Sequence, residues 1–330
     1  MDWQPFPKVE LHLHVDTSLS YEGVAQLDPS VTREEYQRSF AGREECADLA
    51  DFLTGVPRLI SLQQTERGLQ VLIQDMFRQL AADTMLYAEL RFAPLQHLQQ
   101  GLTPTEVVRI VEAETERAAR DSGIEARLIL CSLRHFSADQ SMETVQLIDQ
   151  FRGSRVVGFD LAGDEAGYPL TTHLEAFRLA ADRHIPITSH AGEGAGAESV
   201  WETLELINPP RIGHGVHSVS DPALVQVLKD RRTHLEMCPT CNVQLKVFPS
   251  YADHCIDKFH REGLSLGISS DNRTLTPITL TREYEKLEKT FGWTKADFLT
   301  CNLDTLEAAF LPDTRRQELR RELIERYEAL

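Results

Sequence analysis

IPITSHAGEGAGAESVWETLELINPPRIGHGV, residues 185–216, decides the fold. A short apolar run reaches a histidine, a longer amphipathic stretch follows, and a second short run reaches another histidine. Strand-length runs alternating with helix-length stretches describe a βαβ unit. The alternation extends in both directions. KVELHLHV (8–15), LYAELRFA (86–93), EARLILCSLR (125–134) and RVVGFDLAG (155–163) precede it, and HLEMCP (234–239) and LSLGISSD (264–271) follow. With 185–192 and 211–216 these make eight candidate strands. Most are near-continuously apolar, as parallel strands buried on both faces are.

The stretches between them read as helices. TPTEVVRIVEAETERAAR (103–120) opens on Thr103 as a cap with Glu106 behind it, and Val107, Val108, Ile110 and Val111 form a stripe. DPALVQVLKDRR (221–232) opens on Asp-Pro, a helix start signal. Eight such units predict an α/β fold, a (β/α)₈ TIM barrel spanning residues 1–330 as one domain. An open doubly wound sheet is the competing arrangement. About 70 residues separate the first two strands, far more than one crossover needs, so a helical insertion is expected there. Its most apolar part, DLADFLTGVPRLI (48–60), is placed as a lid.

Composition narrows the partners. Among 330 residues, 34 are basic and 51 acidic, a net charge of −17. Such a chain repels polyanions, so no nucleic acid and no anionic membrane surface is expected, and small molecules remain. The N-terminal residues lack a basic and apolar leader, and no stretch approaches a membrane span, so the expected location is cytoplasmic. Six cysteines in this length read as reduced thiols, not a disulfide framework.

The polar residues gather at strand ends, which in a barrel meet at one mouth. His12 and His14 are two apart on a strand, so both rings lie on the same face. By itself such a pair is equally a polar pair in packing. Joined by His190 and Asp271 from two further strand ends, it becomes three imidazoles and a carboxylate, a hydrolytic metal set. The nitrogen-rich donors favour one zinc ion per chain, with iron, cobalt and manganese as alternatives. Glu193, just after His190, is placed to carry a proton between water and substrate, against a capping or salt-bridge role. His214 is placed to orient or deprotonate the attacking water, against a core histidine.

KVELHLHVD, YAELRFAP, LILCSLRH, GFDLAGDE, SHAGE, RIGHGVH, CPTCNVQL and SSDN together resemble the serial motifs of the adenosine deaminase family of the amidohydrolase superfamily. They run in order from residue 8 to 272, one per strand. The resemblance implies zinc on His12, His14, His190 and Asp271, and hydrolytic deamination of adenosine or 2′-deoxyadenosine to the 6-oxo nucleoside and ammonia. It implies that Glu193 protonates ring N1, that His214 aligns the water, and that Asp271 is a second proton acceptor. His14, Asp16, Gly163 and Asn272 are the implied substrate contacts, Asp16 at the ribose, the Gly163 backbone at N3 and Asn272 at N7.

Two positions depart from the family pattern. Thr17 stands where many members have Gly, which limits backbone freedom near the ribose. Asn272 stands where many have Asp; its amide can donate to N7 at any pH. Arg273 is read as a structural ion pair on the barrel rim, against a contact to a substrate anion. Cys238 and Cys241, a lone CxxC, are read as pocket lining. Alternatives for the whole are a deaminase of a 5′-thio or aminofutalosine-type nucleoside and a non-catalytic nucleoside-binding relative. A binuclear hydrolase needs a bridging lysine at the fourth strand, and GFDLAGDE offers none.

Overall fold

The computed structural model describes residues 1–42 and 46–330. Eight strands follow in chain order: β1 (Lys8–His14), β2 (Met85–Phe92), β3 (Glu125–Leu133), β4 (Val156–Ala162), β5 (His190–Ala191), β6 (Arg211–His214), β7 (His234–Met237) and β8 (Leu266–Ile268). Every pairing between successive strands within β1–β4 and within β5–β8 is parallel. Two narrow seams join the runs. At one, Phe159 pairs with Ile187 and Thr188 N–H donates to the Phe159 carbonyl over 3.0 Å. At the other, Leu13 pairs with Asp271. There His14 N–H donates to the Asp271 carbonyl at 2.8 Å and Asp271 N–H to the His12 carbonyl at 3.1 Å. The sheet is thus closed, and the open doubly wound alternative is excluded.

β5 and β8 are shorter than the sequence runs 185–192 and 264–271. Pro186 has no N–H for the β5 ladder, though its carbonyl accepts from Phe159 at 2.9 Å. At the far end of the β8 run, Asp271 turns into the left-handed region at φ 62, where no strand continues.

Helices cover the barrel as their caps dictate. Thr103 and Glu106 form a reciprocal capping box on Pro104–Ser122, and the Asp221 side chain accepts from Ala223 and Leu224 N–H to start Pro222–Arg231. The insertion between β1 and β2 is helical. Glu66–Ala82 packs a buried face on the barrel, while Leu49–Leu53 and Val56–Ser61 lean over the mouth. The last helices close the other end: Asn302 accepts from Val9 N–H at 2.8 Å and donates to the hydroxyls of Tyr284 and Tyr327. Among the described residues no helix is long and apolar enough to cross a membrane.

Arg273 does make a structural ion pair, but inside the protein and not on the rim. It is 6 % exposed and lies 3.0 Å from Glu10 Oε2 and 2.9 Å from Asp83 Oδ2. Glu10 in turn accepts from Ser270 N–H, and Asp83 from Leu280 N–H. The arginine therefore clamps β1 to the chain leaving β8. Removing one member of a buried ionic cluster strands the others, so Arg273→Met is expected to lower stability by about 3–5 kcal/mol. Urea unfolding checks this, and a variant with the parent's midpoint contradicts it.

Candidate active site

The C-terminal strand ends surround a cavity of about 630 Å³. Its lining includes His14, Asp16, Gly163, His190, Glu193, His214, Asp271 and Asn272. His12 lies directly beneath, fully buried. The structure thus brings all nine sequence-derived residues to one place. Cys238 and Cys241 are the exception to the reading: both are buried but neither lines the cavity. Burial pushes both thiols well above their usual range, so they act as small apolar packing.

Four donor atoms converge. His14 Nε2 and His190 Nε2 are 3.1 Å apart, and Asp271 Oδ1 is 3.4 Å from His12 Nε2 and 3.5 Å from His14 Nε2. Metal–nitrogen bonds of about 2.0–2.1 Å would separate tetrahedral neighbours by about 3.3 Å, so the spacing fits one small divalent cation. The outer nitrogens agree. His12 Nδ1 meets Glu236 Oε2 at 2.8 Å and His190 Nδ1 meets Asp160 Oδ1 at 3.2 Å. Each carboxylate takes an Nδ1 proton and leaves the Nε2 lone pair facing the centre. Burial holds His14 and His190 below the usual histidine range, so they are neutral donors. His12 differs: burial and Arg91 lower it, but Asp271 and Glu236 outweigh them and raise it. A second grouping, His12, His214, Cys238 and Asp271, is also compact, but its protonated thiol is a poor donor.

Backbone chemistry explains the glycines and the strain. A Cβ on Gly213 would sit 2.9 Å from His12 Cε1, so β6 must carry glycine where it passes the ring. His214 and Asp271 hold φ of 61 and 62, sparsely populated values for residues with side chains, and such strain gathers at functional sites.

Sequence reasoning missed the groups that aim these side chains. Glu165 accepts from the backbone N–H of Gly192, Glu193, Gly194 and Ala195 at 2.6–3.1 Å, and from the Ser199 hydroxyl. One carboxylate thereby fixes the loop carrying Glu193. Asn242, in CPTCNVQL, was overlooked beside its cysteines. Ile256 N–H occupies His254 Nδ1 at 3.2 Å, so a neutral His254 donates from Nε2 to Asn242 Oδ1, 3.2 Å away. The Asn242 amide then donates to His214 Nδ1 at 3.2 Å and faces Glu193 Oε1 at 3.5 Å. His214, held well below its usual range by burial, therefore carries its proton on Nε2, which lies 3.4 Å from Glu193 Oε1. Burial first, then Asp271 and Glu165, raise Glu193 well above the usual carboxylate range, which favours its proton-bearing form. Burial lifts Asp16 to about 6 against a hydrogen bond from Ala93 N–H.

A closed parallel barrel with three imidazoles and a carboxylate at its C-terminal mouth, beside a buried glutamate, defines a metal-dependent hydrolase of the amidohydrolase type. The sequence model of the adenosine deaminase family matches residues 7–326, and the chain belongs to that family of hydrolytic deaminases. An adenosine deaminase of Clostridium perfringens is 33 % identical over 325 residues, covering 96 % of this chain and 98 % of its own. Adenosine deaminase 1 of Streptomyces coelicolor is 34 % identical, covering 93 % and 83 %. Among solved structures, an adenine deaminase from Arthrobacter aurescens superposes with a TM-score of 0.89 at 25 % identity, over 97 % and 98 %. An amidohydrolase with bound Zn from B. ambifaria has a TM-score of 0.89 at 23 % identity, over 99 % and 92 %. The N6-mAMP deaminase of Arabidopsis has one of 0.87 at 23 %, over 98 % and 100 %. The last two show the fold alone.

Gly213→Ala forces His12 off its place. The variant is expected to fold and to bind zinc about 10–100-fold more weakly, the usual cost of disturbing what orients a ligand. Competition with a chelator measures it, and unchanged affinity contradicts the placement of His12.

Proposed function

We propose that the protein deaminates a neutral purine nucleoside, adenosine or 2′-deoxyadenosine, at C6, with one zinc ion on His12, His14, His190 and Asp271. The observation that carries this reading is the convergence of those four groups beside a buried Glu193, whose carboxyl pKa is raised by burial, in a cavity that, among the described residues, no lysine or arginine lines. A cation held by the four would supply Lewis-acid activation of water at neutral pH.

The chain's own residues do the rest. The purine enters with its ring edge toward the Gly163 backbone and N1 toward Glu193. Glu193 gives its proton to N1, which draws electrons from C6. The Nε2–H of His214 holds the attacking water by its oxygen. Because that nitrogen already bears a proton, His214 orients the water, and Asp271 is the group that accepts its proton. The oxygen adds to C6, Asp271 passes the water's proton to the amino group, ammonia leaves the tetrahedral carbon, and the remaining hydroxyl proton returns to Glu193 as the 6-oxo group forms.

Selectivity follows from the walls. A 5′-phosphate would need cationic partners. The lining offers only imidazoles, lowered by burial at His14, His135, His190 and His214. Asp16, buried and one turn from β1, suits a ribose hydroxyl as donor. These features favour a nucleoside over a nucleotide and over free adenine. Leu49, Phe52, Leu53, Val56 and Ile60 give the lid an apolar face, which leaves a 5′-thio nucleoside as the second reading.

Adenosine is expected to exceed both adenine and AMP in kcat/KM, followed by the ultraviolet change at the ring. AMP or adenine as the better substrate contradicts the proposal. Glu193→Gln keeps shape and loses the transferable proton, so kcat is expected to fall on the order of 10²–10⁴-fold with zinc retained. Turnover within a few-fold of the parent would remove Glu193 as the acid.

A further inference from the structure

The two departures from the family pattern touch each other. The Thr17 hydroxyl, in the turn after β1, donates to Asn272 Oδ1, after β8, in a short hydrogen bond. Three further hydrogen bonds stitch the same two loops: Thr274 N–H to the Thr17 carbonyl at 3.2 Å, Arg273 N–H to Ser18 Oγ at 2.9 Å, and Thr274 Oγ1 to the Leu19 carbonyl at 2.6 Å. Thr17 has one other acceptor in reach, the His14 carbonyl at 3.4 Å, and that oxygen already accepts from Ser18 Oγ at 2.6 Å. The threonine proton is therefore directed to the amide oxygen. Thr17 is 5 % exposed and β-branched, so its hydroxyl cannot swing away freely.

An amide has one acceptor end and one donor end. With Oδ1 held by Thr17, the NH₂ end of Asn272 is left for the cavity, and it makes no hydrogen bond to any described residue. We propose that Thr17 is a positioning residue: it locks the Asn272 amide with its donor toward the ligand, so that the site demands a ring acceptor beside the reacting amino group. In adenine that acceptor is N7, which shares one edge with the 6-amino group. The inference rests on the purine nucleoside reading above. Without the threonine hydroxyl neither end of the amide is fixed, so the donor must be ordered when N7 arrives, and a ring lacking N7 no longer leaves a locked donor without a partner. With it, the protein discriminates against rings lacking N7, because the fixed donor is then buried without a partner.

The test compares adenosine with 7-deazaadenosine in the zinc-loaded enzyme. The ratio of their kcat/KM values is internal to each preparation, so a lower fraction of folded enzyme cancels. The parent is expected to favour adenosine by about tenfold or more. Thr17→Val, nearly isosteric, is expected to lower the ratio several-fold, because the amide donor is no longer held toward the ring. Thr17→Ser, which keeps the hydroxyl, is expected to keep the parent's ratio. Thr17→Ala serves if the valine variant does not fold. A parent that leaves adenosine untouched overturns the nucleoside reading and this one with it. A parent that deaminates adenosine, with an unchanged ratio in Thr17→Val and Thr17→Ala, overturns only the role of Thr17.

Discussion

The backbone seam between the first strand and the end of the eighth run holds the site together. Two hydrogen bonds, His14 N–H to the Asp271 carbonyl and Asp271 N–H to the His12 carbonyl, close the barrel and set three donor atoms side by side in the same few ångströms. Arg273 clamps the seam from below, and Thr17 with Asn272 bridges it from above. Asp271 can lie there only because its backbone is bent into the left-handed region. Barrel closure and the assembly of the cation set are thus one event, and the strain at Asp271 is balanced by the contacts the closure makes.

Charge is layered along the barrel axis. In the floor, Arg91 lies 2.9 Å from Asp160 and 2.6 Å from Glu236, and Arg211 lies 2.7 Å from Glu89 and 2.9 Å from Glu236. Two guanidiniums thus sit among three carboxylates, and two of those carboxylates also hold the outer nitrogens of His12 and His190. The floor carries a negative excess directly beneath His12 and His190. A divalent cation at the convergence satisfies it, while burial, Asp271 and Glu165 raise the Glu193 carboxyl separately.

Much of this was legible in the chain. β1 to β4 appear within a residue or so of their apolar runs, because parallel strands buried on both faces leave no other mark. The histidines, Glu193 and Asp271 were legible because chemistry at strand ends is conspicuous against apolar neighbours. What stayed hidden depends on contacts between distant segments. Glu165 gives no local sign that it will collect four amides of a loop 27 to 30 residues away. Asn242 acts through His254, whose tautomer is set by a backbone N–H. Thr17 and Asn272 each read as a deviation, and only the seam makes them a pair. Arg273 was read as an ion pair, but its depth follows from Glu10, a charged residue on a buried strand that periodicity marks only as out of place.

The four-fold convergence of donor atoms is the feature on which the site turns, and locating a bound ion tests it directly. Crystals of the protein loaded with zinc, measured on both sides of the zinc absorption edge, are predicted to give one strong anomalous peak per chain. That peak should lie about 2.0–2.2 Å from the Nε2 atoms of His12, His14 and His190 and from an oxygen of Asp271. No peak at this position, or a peak held instead by His214 and Cys238, would contradict the account.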